Sequence, residues 1–337
     1  MKTFKFGNAS TDFYFAGSIS QLKEITDVKN TVVITDTNIF DLYQKKLKSY
    51  KTIVLAPGEE NKTQATIDSV IQQLIELEAD RKTTLVAVGG GVITDITGFV
   101  ASIYMRGIRF GFIPTTLLSL VDASIGGKNG IDVGIYKNII GIIRQPAFIL
   151  HDILFLNSLP EKEWQNGFAE IIKHACIKDV AMFKQLELHS LNYYRKNKKE
   201  VSLLIQRNAK LKIKVVQADE FEQGERKLLN FGHSLGHALE NQYGLSHGHA
   251  VAIGSAYAAR ISKQFTGFKQ TDRLVKVLEQ YGLPSSMSFD KQKTFAAFKM
   301  DKKRERKSMN YILLERIGKG VIKSIPLDEL ETVLTSL

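Results

Sequence analysis

Seven histidines occur in 337 residues, and five of them gather in three short motifs. GHSLGHALE sets His233 and His237 at i, i+4 on one helical face, LSHGHAV adds His247 and His249, and AEIIKHA pairs Glu170 with His174 at the same spacing. One carboxylate and two imidazoles drawn from separate elements suit a zinc ion that keeps an open coordination position. Spacing alone does not choose three ligands from this set, and core histidines bonded to main-chain carbonyls would give the same pattern. A second group is cationic. Lys128, Lys137 and Asn138 lie in the glycine-rich VDASIGGKNGIDVGIYKN, with Lys173, Lys212 and Arg226 further on. Such side chains clamp phosphate and carboxylate. Taken singly each reads as a solvated charge, except Lys173, which shares a helical face with Glu170 three residues away.

The third chemical stretch is LVAVGGGVITD, Leu85 to Asp95. Leu85 to Gly89 reads as a buried parallel strand, and the period then becomes helical. Gly89, Gly90 and Gly91 sit at the change. Glycine reaches left-handed backbone freely and lets a ligand approach bare main chain, and the following helix N-terminus favours a pyrophosphate. The spacing is not GxGxxG, so a tight strand-to-helix connection without a ligand is the alternative.

The elements that must position these residues follow from periodicity. Thr31 to Thr35 and Thr52 to Leu55 read as strands, and Ile67, Val70, Ile71, Leu74 and Ile75 form an amphipathic stripe between Thr66 and Asp80. Strand, helix and strand in succession predict parallel βαβ units with ligands outside the strand C-termini, where Asp36, Gly58, Gly90 and Asp95 fall. From about Phe155 the patterning turns helical, with helices expected at Ala181 to Asn192, Glu200 to Ala218 and Thr271 to Gln280. The expectation is an α/β N-terminal domain with a Rossmann-like parallel sheet, residues 1–152, and a mostly α-helical, metal- and substrate-binding C-terminal domain, residues 153–337.

Composition narrows the partners. The net charge of +11, from 46 basic and 35 acidic residues, invites a nucleic-acid reading. Of the basic runs, RKNKK reads as a solvated helix end, and DKKRERK interleaves acids and lacks stacking aromatics, so anionic small molecules are the better expectation. The N-terminus has no secretory apolar run, and the most apolar later stretch, Phe110 to Val121, is short and broken by Pro114. A soluble, cytoplasmic protein without membrane or nucleic-acid partners is expected. The single cysteine, Cys176, excludes an internal disulfide and reads as a core residue.

PGEENK, GGGVITDITGF, YMRG, PTTLLSLVDASIGGK, KNIIG, NGFAEIIK, RKLLNFGHSLGH and DKK occur in this order. Together they make the chain resemble the 3-dehydroquinate synthases of the sugar phosphate cyclase family over nearly its whole length. The resemblance implies metal ligation by Glu170, His233 and His247, with Zn2+ or Co2+ as the ion and His174 a bystander. It implies NAD contacts at Asp36, Asn38, Glu59, Lys62, Gly90, Gly91, Asp95, Thr115, Thr116, Lys128, Lys137, Phe155 and Ser158. Catalytic roles fall on Lys173, His237, Asp122 and Asn230, and substrate contacts on Arg106, Lys128, Lys137, Asn138, Lys212, Arg226, Lys302 and Lys303. Arg106 of YMRG would reach a neighbouring subunit's phosphate pocket, so a homodimer is implied. Two departures stand out: His249 two residues after His247, and Thr94 in place of a glycine before Asp95, where it could cap the helix.

The implied activity converts 3-deoxy-arabino-heptulosonate 7-phosphate to 3-dehydroquinate and phosphate, a step of the shikimate pathway toward aromatic amino acids, with no net redox change. The alternatives are a related cyclase, a metal- and NAD-dependent polyol dehydrogenase, and a basic nucleotide-sensing or nucleic-acid-binding module. Lys212 and Arg226 are fourteen residues apart, about 21 Å along a continuous helix, so both meet one substrate carboxylate only if the chain bends. DEFEQG, Asp219 to Gly224, supplies the bend, with Gly224 as the expected breaker.

Overall fold

The computed structural model describes residues 1–134, 136–300 and 308–337. It forms two compact units, Met1–Leu159 with Lys212–Phe221, and Pro160–Leu211 with Glu222–Leu337. The expected boundary near Asp152 and the end of the first unit's main segment are separated by the 3-10 turn Ile153–Ser158.

In the first unit, β1 (Lys2–Phe6) and β2 (Ala9–Tyr14) form an antiparallel hairpin. Next come α1 (Leu22–Ile25), β3 (Thr31–Asp36), α2 (Thr37–Leu47), β4 (Lys51–Leu55), α3 (Gln64–Glu76), β5 (Thr84–Gly89), α4 (Gly91–Ile103) and β6 (Arg109–Pro114). A separate hairpin of β7 (Lys128–Val133) and β8 (Tyr136–Ile143) precedes β9 (Phe148–Leu150). The main sheet runs β1-β2-β9-β6-β5-β3-β4, parallel at every junction except β1 with β2. Every residue of β3 and β5 is buried, which is why these strands read as continuous runs with little alternation. Leu22, Leu47 and Phe155 pack with Val33, Val86, Val88, Ile113, Phe148 and Leu150 in one core cluster.

From β3 the chain moves outward to β4, then returns across β3 to β5. The strand order therefore reverses between the C-terminal ends of β3 and β5, the place where open α/β sheets bind ligands. Asp36 ends β3 and Gly89 ends β5.

The second unit is mainly helical: α5 (Glu161–Lys178), α6 (Val180–Leu188), α7 (Leu191–Lys196), α8 (Lys198–Ala218), α9 (His233–Tyr243), α10 (His247–Thr266), α11 (Thr271–Gln280), α12 (Lys291–Met300) and α13 (Leu327–Ser336). The last residues of α8, from Lys212, belong to the first unit. The helix expected over Ala181 to Asn192 divides in two, because Ser190 caps α7 by accepting from the Tyr193 N–H. A hairpin of β10 (Ser308–Arg316) and β11 (Lys319–Pro326) adds strand to the half expected to be mostly helical. The expected bend after Lys212 is present, but Gly224 is not the breaker: α8 stops at Ala218, the left-handed φ of 58° falls on Glu222, and Gly224 has φ −134°.

Candidate active site

The glycine turn is built by exclusion of side chains. Gly89, Gly90 and Gly91 all avoid positive φ, and Gly90 is extended at φ −75°, ψ −168°, so the expected left-handed turn is corrected. What the positions need is the missing Cβ. At Gly89 it would stand 2.6 Å from Ile93 Cβ, at Gly90 3.1 Å from Thr116 Cγ2, and at Gly91 3.2 Å from Ala123 Cβ. Thr115 closes the turn by donating its N–H to the Gly89 carbonyl at 2.9 Å. Thr94 does not cap α4; it lies one turn inside, buried, with its hydroxyl donating to the Gly91 carbonyl at 2.9 Å. Gly90 is the cap residue, so the first helical N–H groups face the turn without a capping side chain.

Asp36 is buried and caps α2, accepting from the Ile39 N–H at 3.0 Å. Burial raises its carboxyl above the ordinary value although the Ile39 and Asn38 N–H groups oppose this. Asn38 is exposed at the start of α2. Ser158 hydrogen-bonds Tyr43 Oη at 2.7 Å, and Phe155 is a core residue packed edge-on against the Tyr43 ring.

Lys62 is the hub beside this turn. It is buried, with Nζ 2.6 Å from Asp95 Oδ2, 3.8 Å from Glu59 Oε1 and donating to Asn138 Oδ1 at 2.5 Å. Burial works against its charge, but Asp95 and then Glu59 hold its pKa above the ordinary value; burial raises that of Asp95 against the pull of Lys62. Asn138 sits at φ 52°, with its N–H donating to Asp132 Oδ1, and Asp132 in turn donates its N–H to the Lys62 carbonyl. The hairpin bearing Lys128, exposed, and Lys137, half-buried, is thereby tied to the turn's own ion pair. Asp122, in a π-helical turn at Ser119–Ala123, receives Lys212 Nζ at 2.7 Å on both its carbonyl and Oδ1. Met105 and Arg106 take consecutive left-handed φ values of 48° and 66°, a strained tip that leaves both exposed.

In the second unit, His233 and His247 are the first residues of α9 and α10, and Glu170 lies mid-way along α5. Close helix contact sets their register. A Cβ at Gly236 would come 2.9 Å from the Ala250 carbonyl oxygen, one at Gly254 would strike the Gly232 carbonyl, and one at Gly248 would sit 2.5 Å from Asn166 Cα. The Gly248 N–H donates to Asn166 Oδ1 at 2.9 Å, pinning the start of α10 on α5. One donor atom from each of Glu170, His233 and His247 lies within 4.8 Å of the others. Glu170 Oε1 is 3.1 Å from His247 Nε2 and 3.6 Å from His233 Nε2. Ligand bonds of about 2.1 Å at tetrahedral angles put donor atoms about 3.4 Å apart, so the set fits a divalent ion. The other oxygen, Oε2, is ion-paired with Lys173 and lies 3.9 Å from His174 Nε2.

His233 Nδ1 faces the Phe231 carbonyl at 3.3 Å, which fixes the proton there and leaves Nε2 as donor atom to a metal. Burial, then the Lys173 cation, push its pKa well below the ordinary value. His247 goes the other way, to about 10: burial opposes its charge, but Glu170 and Glu240 outweigh burial. His237 stacks edge-on to His233 at 5.1 Å between centroids. His249 turns to Gln165 Oε1 at 3.4 Å and is outside the three-donor group. His174 is fully buried, with Nδ1 on Asn208 Oδ1 at 3.1 Å. Arg226, buried, and Asn230, bonded to Glu222, occupy the 3-10 turn Glu225–Asn230 before α9. Lys302 and Lys303 lie outside the described residues.

Sequence reasoning missed Asn166, Asp132, Asn208 and Glu240. Only Glu240 had a legible signal, seven residues after His233 on the same helical face.

The chain matches the family model described as 3-dehydroquinate synthase N-terminal over residues 52–166, and the C-terminal model over residues 167–304. The chain belongs to the 3-dehydroquinate synthase family. Curated 3-dehydroquinate synthases from Campylobacter concisus and Nitrosomonas europaea are each 39% identical to it, the first over 91% of both chains, the second over 87% of this chain and 83% of its own. Among solved structures, a 2-epi-5-epi-valiolone synthase from Streptomyces hygroscopicus subsp. jinggangensis 5008 with NAD+ and Zn2+ bound aligns at TM-score 0.89 and 26% identity, over 100% of this chain and 99% of its own. A 2-deoxy-scyllo-inosose synthase complexed with carbaglucose-6-phosphate, NAD+ and Co2+ aligns at TM-score 0.87 and 25% identity, over 99% of both chains. An iron-containing alcohol dehydrogenase from Thermotoga maritima, at TM-score 0.67 and 14% identity over 99% of this chain and 98% of its own, shares the fold alone. No described helix of this family member is long and apolar enough to cross a membrane.

Proposed function

We infer that this chain is a 3-dehydroquinate synthase, a phosphate-eliminating cyclase that turns 3-deoxy-D-arabino-heptulosonate 7-phosphate into 3-dehydroquinate with catalytic NAD and a divalent metal. The observation that carries the reading is the convergence of Glu170, His233 and His247 within 4.8 Å, in a chain matched by both family models. When bound, NAD takes and returns a hydride and the metal polarises the oxygen being oxidised. Zinc is the ion we assign, since two imidazoles and a carboxylate with an open position suit it.

The protein's own residues do the rest. The bare Gly90–Gly91 turn and the N-terminus of α4 receive the pyrophosphate, with Asp36, Asn38, Glu59, Lys62, Asp95, Thr115, Thr116 and Ser158 around the nucleotide. Phe155, a core side chain, contributes through its main chain. Lys128, Lys137 and Asn138 hold the phosphate, which as leaving group can itself take the adjacent proton. Lys173 is held at the reacting end by Glu170, Asp122 and Lys212 orient one another, and Arg226 takes the substrate carboxylate. His237 and Asn230 complete the polar lining, and Lys302 and Lys303 add charge for the anionic substrate.

We assign a cytoplasmic homodimer in which Arg106 serves the partner's phosphate pocket. The strained Met105–Arg106 tip and the exposed Tyr136, Ile139, Ile140 and Ile142 of β8 support an interface in the first unit. Inorganic phosphate release with NAD far below substrate concentration tests the whole reading. A polyol dehydrogenase would accumulate NADH and release no phosphate.

A further inference from the structure

We propose that Glu240 is a positioning residue that fixes the tautomer and aim of His247; this rests on the metal reading above. Helix α9 carries both residues that matter. His233 opens it, and Glu240 follows two turns later on the same face. Because Gly236 and Gly254 let α9 and α10 meet backbone to backbone, the Glu240 carboxylate reaches the first residue of α10: Oε2 lies 3.7 Å from His247 Nδ1. The Glu240 side chain is 9% exposed and that of His247 29%, so water screens this contact only in part.

A neutral imidazole has one N–H. If it stood on Nε2, it would point at Glu170 Oε1, 3.1 Å away, and block the lone pair that a metal needs. A carboxylate beside Nδ1 draws the proton there and leaves Nε2 as the donor atom. His233 meets the same requirement with a neutral partner, the Phe231 carbonyl. The two imidazoles are therefore oriented by different means, and the one held by a carboxylate is the stronger electron donor.

The test compares metal-stripped wild type with Glu240→Gln and Glu240→Ala, reading zinc affinity by competition with a chromophoric chelator and the visible spectrum after cobalt loading. The alanine variant should bind zinc about 10- to 100-fold more weakly, and glutamine, which keeps an oxygen acceptor without the charge, should fall between. The cobalt bands should shift in both, and NAD affinity should be unchanged. Should alanine fail to fold, the glutamine variant decides. Variants matching a zinc-binding wild type overturn the inference and leave the metal site standing; a wild type that binds no zinc overturns both.

Discussion

Replacing Gly248 by alanine tests how the metal site is assembled. Its Cβ would lie 2.5 Å from Asn166 Cα and 3.1 Å from Asn166 N, both backbone atoms of α5. Reaching ordinary contact at about 3.5 to 4.0 Å requires the start of α10 to retreat by about 1 Å. Metal bonds tolerate about 0.2 Å. His247 immediately precedes it, so its Nε2 leaves the donor set, and zinc affinity should drop about 10- to 100-fold, roughly 1.4 to 2.8 kcal/mol. Overpacking should cost a further stability loss of about 1 to 3 kcal/mol in the metal-free protein. Gly267→Ala is the control, because Gly267 ends the same helix at φ 70° with nothing within 4 Å of an added Cβ. It should destabilise by about 1 to 2 kcal/mol through left-handed strain and leave zinc affinity alone. Chelator competition gives the affinities and denaturant unfolding the stabilities. Wild-type zinc affinity in a folded Gly248→Ala variant would refute the claim that this contact sets the ligand geometry.

Three further outcomes are expected. Gly90→Ala meets only the Thr116 side chain, so it should fold, while its Cβ raises the NAD dissociation constant about 10- to 100-fold by isothermal titration; an unchanged value removes the turn from the nucleotide site. Zinc binding at pH 7 should release about one proton, measured in buffers of differing ionisation enthalpy, because His247 with its raised value near 10 is charged in the metal-free protein and His233 with its lowered value is not. The stability that His247 gains from its carboxylates is full below pH 6.5 or so and lost as pH rises through about 10, and proton release should vanish over the upper part of that window; no release at pH 7 contradicts it. Mixing inactive Arg106→Ala with inactive Lys173→Ala should restore part of the activity through hybrid dimers, and no recovery after verified subunit exchange counts against a shared site.

The parallel sheet was legible because β3 and β5 are buried on both faces and so appear as unbroken apolar runs. The β1–β2 hairpin was not: it joins the sheet through β9, paired across more than 130 residues, which no local period reports. Glu170, His233 and His247 could be nominated from residue type, yet choosing them over His174 and His249 required the family resemblance. Their selection in space rests on α9, α10 and α5 meeting at glycines, a tertiary fact. The three glycines from the end of β5 to the start of α4 were read for left-handed freedom, whereas the structure uses their lack of a side chain. Lys62 and Asp95 were both named, but not their ion pair, which spans two βαβ units.

The most direct test of the account follows inorganic phosphate from 3-deoxy-D-arabino-heptulosonate 7-phosphate, with zinc-loaded protein and NAD at a hundredth of the substrate. The account predicts full conversion without net NADH, no turnover of sedoheptulose 7-phosphate, which lacks the carboxylate, and loss of activity in Arg226→Ala with NAD and zinc binding intact. Stoichiometric NADH without phosphate would contradict the cyclase reading, and preferential turnover of sedoheptulose 7-phosphate would contradict the dehydroquinate assignment.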